Sequence, residues 1–395
     1  MISPAEATAS IEAEVPRLPV IPVALRDAAG CVLRQVVVSE RDQPPFDRVA
    51  MDGIALSSQT AVREFEIAGT QAAGAQPLKL ASVNDCIEVM TGAMLPIGCD
   101  CVVPVERIAI DKACARLADD VELTPGLNLH RRGIDCSAGK AVLQPGIKLG
   151  APEVAVLASA GLVHVQVARM PRIVVISTGN ELIEPGQPLA EWQIRRSNVY
   201  GVLASLRMHG YTRLADDHIP DDETQLRARL RKHLSEADVL ILSGGVSMGK
   251  FDFVPAILAE LGVRQVFHKI AQRPGKPMWF GVHSDNKAVY ALPGNPVSTL
   301  ACMARYVLPG LRIALGLHHE PQIVKLAEHC AVLPTLATLL PVHIGNDASG
   351  DLIAHPQTTH GSGDFTALIG AQGCVELPPG TTAIPSGTAV KFYRW

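Results

Sequence analysis

Chemistry in this chain starts at Ser243-Gly244-Gly245-Val246-Ser247-Met248-Gly249, directly after the apolar run Val239 to Leu242. Glycine has no Cβ, so such a loop lets backbone N–H groups approach an anion closely. A second loop of this kind, Leu292-Pro293-Gly294-Asn295-Pro296-Val297-Ser298, leads from a strand-like run into an apolar helical pattern. A helix start gathers unpaired N–H donors and the positive end of the dipole, which suits phosphate. Gly244, Gly245, Ser247, Pro293, Gly294 and Asn295 are therefore candidate binding residues, and two such loops in one α/β unit point to a nucleotide or a phosphorylated cofactor.

Asp52, Asp135, Glu181, Asp221 and Asp252 sit where loops meet strands or turns and are the candidate catalytic carboxylates. Carboxylates beyond the carboxyl ends of parallel strands can hold a hard cation such as Mg²⁺, which bridges phosphate oxygens. Glu181 and Asp252 follow core strands and are the candidate metal ligands. Each carboxylate has a plainer alternative. Asp52 before Gly53 suits a turn, and Asp135 could pair with Arg131 or Arg132 at the surface. Asp222 reads as a helix cap, leaving Asp221 to face a ligand. No histidine is singled out. The run His268 to Pro277 carries Lys269, Arg273 and Lys276 on a proline-restricted loop, a cationic setting for an oxyanion; a solvated basic loop is the alternative.

The elements that must position these residues fall into an α/β multidomain pattern. Residues 3–14 read as a short helix with Ser3 as cap and Pro4 at its first position. Residues 20–140 form a β-rich region of short apolar runs separated by Gly and Pro. A helix returns at 151–160. From 170 to 316 strands and helices alternate, the signature of a doubly wound parallel sheet. The Pro296 to Leu315 helix should kink or break at Pro309-Gly310 and end at Gly316. Residues 317–395 read as a small C-terminal β-domain, and the segments 1–19 and 141–169 as a helical linker domain.

The chain has 395 residues, 48% hydrophobic, enough for at least two cored domains. A net charge of −4 and 4% aromatics leave no basic, base-stacking footprint for nucleic acid. No apolar run approaches the roughly 20 residues of a membrane span, and the polar N-terminus gives no expectation of a signal peptide. Nine cysteines without a C-x-x-C pair are expected to be reduced thiols in a cytoplasmic protein. Cys99-Asp100-Cys101 is a weak candidate for a soft metal.

In this order the pieces resemble the molybdopterin molybdenumtransferase family, the MoeA type that includes the E-domain of gephyrin. The motifs are PPFDRVAMDG, MTGAMLPIGCDCVVPVE, GLNLHRRGID, ISTGNELIEPG, LSGGVSMGKFD, RPGKP and LPGNPVS. The central domain also resembles the smaller molybdopterin adenylyltransferases. The resemblance implies a homodimer formed through the helical domain. It implies molybdate insertion into adenylylated molybdopterin with Mg²⁺-dependent hydrolysis, releasing molybdenum cofactor and AMP. It places Asp52, Thr91, Asp135, Glu181, Asp221, Asp252, Lys269, Arg273, Lys276 and Ser362 in the active site, with the first three facing the partner's central domain. A molybdopterin adenylyltransferase and downstream cofactor-handling proteins are the implied partners. The chain departs from the pattern at Arg48-Val49, where Asn-Ser is usual, and at Ile54, where an aromatic is usual. Arg196 takes the place of an acidic residue and Arg273 that of a lysine. The family's arginine near Pro341, which holds molybdate together with the serine matching Ser362, is missing, and no Lys or Arg occurs between Lys325 and Lys391. Arg48 or Arg196 is expected to restore that charge. The alternative is a non-inserting relative that carries molybdopterin nucleotide; a hydrolase of other pyrophosphate-linked nucleotides is a further reading.

Overall fold

The structure, a computed structural model, describes residues 1–245 and 253–395. The candidates Ser247 and Asp252 lie outside the described residues.

The central sheet has six strands in the order Leu214–Ile219, Ile173–Thr178, Val239–Ser243, Lys287–Leu292, Trp279–His283, Val263–His268. The first four are parallel. The fifth strand runs antiparallel to both of its neighbours, so the sheet is mixed and mostly parallel. The reason is local. Only Ser284, Asp285 and Asn286 separate Trp279–His283 from Lys287–Leu292, and a parallel neighbour needs a crossover of about a dozen residues.

Alternate strand residues feed two cores. Ile173, Val175 and Ile241 pack with Val199, Val202 and Leu206 of the helix Ser197–Met208. Val174, Ile176 and Leu240 pack with Leu226, Leu230 and Leu234 of the helix Glu223–Glu236. Helices on both faces make the sheet doubly wound. Asp222 caps its helix by accepting from the Gln225 N–H at 2.8 Å, as its sequence position predicts.

The break in the last helix lies one turn earlier than Pro309-Gly310. Pro296–Cys302 is α-helical, Met303–Val307 is a π turn, and Leu308–Leu315 is α-helical again. The Leu308 N–H reaches back to the Met303 carbonyl. Pro309 has no N–H to offer Arg305, so the ladder widens just before it. Gly316 ends the helix with φ +95°.

Outside this sheet, Val20–Ala24 pairs antiparallel with His164–Ala168, and residues around them share a core with the helix Ala151–Ser159. A separate six-stranded β unit holds Gly53–Leu56 between Asp85–Val89 and Cys101–Pro104. The C-terminal sheet runs over Gln322–Leu326, Ala337–Asn346, Leu352–Pro356, Gly373–Leu377 and Ala389–Arg394. Its sixth strand is Gln272–Arg273, which pairs parallel with Ala337 and Thr338. The cationic loop of the α/β unit is thus stitched into the C-terminal sheet.

At the amino ends of the parallel strands, Asp238 receives two hydrogen bonds from Arg169, at 2.8 and 2.9 Å, and one from the Arg172 N–H at 2.8 Å. Burial pushes this carboxyl up, but the bonds from Arg169 and Arg172 and their charges outweigh it and hold it at about 2. Asp238→Asn is expected to cost about 2 kcal/mol, below a fully buried pair because Arg172 is half-exposed. The folded value lies below the unfolded ~3.9, so this contribution is complete above about pH 4 and disappears as pH falls through about 2. Urea midpoints of both proteins against pH should converge at the acid end; a constant gap would refute the assignment.

Candidate active site

Four strand ends meet at one edge of the central sheet. Thr178 lies beside Ile219, Ser177 beside Ser243, and Ser243 beside Leu292. The loops that follow therefore stand side by side, and they carry Glu181, Asp221, Gly244-Gly245 and Pro293-Gly294-Asn295. Gly244 has φ +99°, and a Cβ there would lie 2.8 Å from the Thr178 carbonyl, so the loop rests directly on its neighbour. Asn198, at the start of its helix, donates to Ser243 Oγ at 3.0 Å and to the Gly294 carbonyl at 2.7 Å, locking the two glycine loops together. Asn180 Oδ1 accepts the Asp221 N–H at 3.1 Å and ties the two carboxylate loops.

Two clefts open at this edge. The smaller, about 270 Å³, is lined by Glu181, Gly244, Gly294 and Asn295. The larger, about 800 Å³, is lined by Arg273, Lys276, Pro293, Asn295 and Ser362 with an apolar wall from Leu339 to Pro341. Asn295 belongs to both, and its Nδ2 donates to Ser362 Oγ at 2.7 Å. The Val297 N–H also donates to the Ser362 carbonyl at 3.1 Å. The two domains thus close one continuous site around Asn295.

The floor of the cationic loop is fixed from below. Gln272 is fully buried and donates to the Pro274 carbonyl at 3.2 Å. A Cβ on Gly275 would sit 2.4 Å from Cys302 Sγ. Arg273 and Lys276 point outward from this base and are exposed. Among the described residues, the lining of the large cleft holds no carboxylate. A cationic cleft without acidic groups is suited to an oxyanion. Lys269 lies on the same segment, outside the lining of both clefts.

Asp52 and Thr91 meet on the β unit, Asp135 follows the strand Leu129–His130, and none of the three lines either cleft. Asp52 precedes Gly53–Leu56 and Thr91 follows Asp85–Val89, two paired strands that end together. Asp52 Oδ1 accepts the Thr91 N–H at 2.6 Å and its hydroxyl at 2.8 Å. These bonds hold the Asp52 carboxyl below its usual range, so it is an oriented anion at neutral pH. Asp135 does not pair with Arg131 or Arg132, whose partners are Asp47 and Asp42. It pairs with His130 Nε2 at 3.0 Å. No histidine was a candidate, yet His130 is the residue that orients Asp135; its only sequence signal is its place in the GLNLHRRGID motif.

Arg196 is a second correction. It is 6% exposed and wholly engaged, donating to Ser177 Oγ at 2.7 Å, Glu184 at 2.7 Å and Asp216 at 2.6 Å. Its role is to anchor the Glu181 loop, and it has no free donor set for an oxyanion. Arg48 lies on the β unit beside His130, away from the lining of both clefts. Arg196 does not restore the charge missing near Pro341, and Arg48 does not do so within its own chain. The Cys99 and Cys101 thiols are buried and pushed up to about 12, first by burial and then by Asp100, so both are protonated at neutral pH. Among the described residues no cluster of three or more His, Cys, Asp or Glu could enclose a metal. Mg²⁺ needs no such cage, because one or two carboxylates with substrate phosphates suffice, and the exposed Glu181 beside the glycine loops fits that donor set.

Comparison with known proteins agrees along the whole chain. The profile of the MoeA N-terminal region (domain I and II) matches residues 2–161, that of a probable molybdopterin binding domain residues 174–313, and that of the MoeA C-terminal region (domain IV) residues 324–395. A molybdopterin molybdenumtransferase of Synechocystis is 37% identical over 399 residues, covering 100% of both chains. One from Staphylococcus epidermidis is 30% identical, covering 94% of this chain and 90% of its own. The crystal structure of the molybdopterin biosynthesis moea protein from Pyrococcus horikosii superposes with a TM-score of 0.82 at 28% identity, covering 100% of this chain and 99% of that one.

Proposed function

The chain belongs to the MoeA family of molybdopterin molybdenumtransferases and acts in molybdenum cofactor biosynthesis, and from that premise we propose how its two clefts divide the work. The substrate is adenylylated molybdopterin. Its phosphates lie against the Gly244-Gly245 and Pro293-Gly294 loops, where backbone N–H groups are close enough to donate. Molybdate lies in the larger cleft between Arg273, Lys276 and Ser362. Asn295 spans both clefts and fixes the distance between the oxyanion and the phosphates through Ser362. Such positioning is a large part of what a transferase can contribute to its reaction.

Glu181 and Asp252 would hold Mg²⁺, which when bound supplies charge to the phosphate oxygens. Glu181 is kept at the rim by its own loop, whose anchor is the Arg196–Glu184 pair. The phosphoanhydride is hydrolysed to release AMP and the molybdenum cofactor. Asp52, Thr91 and Asp135 lie away from both clefts of their own chain, which supports a homodimer in which they complete the partner's site. The ionised Asp52 carboxylate, oriented by Thr91, is suited to place the attacking water. A molybdopterin adenylyltransferase would deliver substrate and cofactor-handling proteins would take product, in the cytoplasm. Among the described residues no helix is long and apolar enough to cross a membrane.

The observation that carries this reading is the cationic cleft, with no carboxylate among its described lining residues, joined to the phosphate loops by Asn295. AMP release from adenylylated molybdopterin and Mg²⁺ should rise with molybdate to saturation and yield active cofactor. Binding without molybdate-dependent release would favour the carrier reading, which the missing cation near Pro341 supports.

A further inference from the structure

A third cavity lies at the far end of the central sheet from both clefts. Met170 in its lining comes just before the strand Ile173–Thr178, and Tyr211 and Thr212 just before Leu214–Ile219, so it sits at the amino ends of the parallel strands. Its volume is about 290 Å³, and it shares no lining residue with either cleft. We propose that it binds a small amphipathic carboxylate, whose apolar body fills the space and whose head lies against Tyr211, Lys148 and Arg312.

The walls come from two units and are fixed in advance. Gly30, Val32 and Lys148 belong to the N-terminal region, and Leu308, Arg312 and Leu315 to the last helix of the α/β unit. The Gly30 N–H donates to the Leu149 carbonyl at 2.8 Å, and the Val32 carbonyl accepts the Ala168 N–H at 2.9 Å. On the other side the Tyr211 N–H donates to the Leu206 carbonyl at 3.0 Å. Arg34 joins the two units by donating to the Leu315 carbonyl at 3.3 Å. Val32, Leu308 and Leu315 are buried and give the space an apolar surface. A preformed apolar cavity with a few convergent polar groups is the usual form of a small-molecule site.

The polar groups define the ligand. Tyr211 is 4% exposed, and its hydroxyl has no hydrogen-bond partner among the described residues. Unlike the Tyr290 hydroxyl, it is not fully enclosed, so the small accessible area of Tyr211 includes the hydroxyl and opens on the cavity. Burial pushes this phenol up, against the opposing charge of Arg312, so it stays a neutral donor. A donor in an apolar wall calls for an acceptor, because an unpaired buried polar group costs free energy. Arg312 gives only one long hydrogen bond, 3.5 Å to the His318 carbonyl. Among the described residues the lining holds no carboxylate to offset Lys148 and Arg312. An acceptor that also carries negative charge satisfies all three groups, and a carboxylate on an apolar body satisfies the walls as well.

The test is octanoate titrated into the full chain in its solution assembly, read by calorimetry and by the unfolding midpoint. It should bind saturably with a Kd at or below about 1 mM and raise the midpoint, as a ligand of the folded state does. Octan-1-ol, the same body without the charge, should bind about 10- to 150-fold more weakly, the worth of one charged hydrogen bond. Lys148→Gln combined with Arg312→Gln should weaken octanoate by about that factor or more. Both side chains are exposed, so the ligand-free midpoint should match that of the native chain. Tyr211→Phe should weaken octanoate by about 2- to 10-fold, the worth of one neutral hydrogen bond. Binding should persist in a protein with Arg273→Gln and Lys276→Gln, which separates this cavity from the larger cleft. No saturable binding, equal binding of octan-1-ol, loss of binding in the Arg273 and Lys276 variant, or undiminished binding in the Lys148 and Arg312 variant or in Tyr211→Phe would each overturn the inference.

Discussion

Arg273→Gln combined with Lys276→Gln is expected to raise the half-saturating molybdate concentration by about 10²- to 10⁴-fold. Each cation offers a dianion one charged hydrogen bond, worth about 1.5–3 kcal/mol, and the two together about 3–6 kcal/mol. Among the described residues no carboxylate in the cleft lining offsets them. The substitution should leave the fold alone. Both side chains are exposed, and the loop is held by backbone pairing of Gln272 and Arg273 with Ala337 and Thr338 and by the buried Gln272 amide. The unfolding midpoint should therefore stay within about 0.5 kcal/mol of the native chain, as surface changes usually do. A change in molybdate requirement below about threefold would mean that the oxyanion binds elsewhere.

Arg305→Ala should be the most destabilising single change discussed, costing about 3–5 kcal/mol. Arg305 is 5% exposed, at the centre of the π turn. It donates to Glu376 of the C-terminal sheet at 2.6 Å and to Thr8 of the first helix at 2.8 Å. Its guanidinium lies 4.5 Å from the Tyr393 ring centroid and 4.9 Å from that of Tyr306. Alanine would strand the Glu376 carboxylate, which then keeps the Tyr393 hydroxyl at 3.2 Å, and would leave a cavity between three segments. The loss should fall on the docking of the C-terminal domain, so limited proteolysis should release residues after about 317 before the α/β unit is cut. Simultaneous loss of both regions would show that Arg305 stabilises the whole and not the junction. Arg305→Lys should rescue poorly, because the planar fork serves Glu376 and Thr8 at once.

The cleft between these domains also shows why some residues were legible early and others were not. Asp222, Ser3 and Gly316 act on backbone within a few residues, and their cap roles could be read from local spacing. Asp52 and Thr91 were each placed by motif, but their contact depends on Gly53 pairing with Val89. Asp135 was given the wrong alternative partner, because proximity in sequence favoured Arg131 and Arg132 while the turn sends those side chains to Asp47 and Asp42. Arg196 looked like a spare cation. A side chain's availability depends on burial and partners, and Glu184, Asp216 and Ser177 come from three different segments.

By itself the sequence determined the chemistry that is local: glycine loops that can meet phosphate, strands that alternate with helices, an ordered set of motifs, and the absence of Lys and Arg between Lys325 and Lys391. Only the tertiary structure decided which groups share a space. It brought four strand ends to one edge, turned the fifth strand antiparallel, and paired Gln272–Arg273 with the C-terminal sheet. It also set Asn295 against Ser362. The reason is that local rules act through bonds and hydrogen bonds spanning a few residues. A binding site is made by side chains that are distant in sequence, and their meeting is set by how the sheets and cores pack.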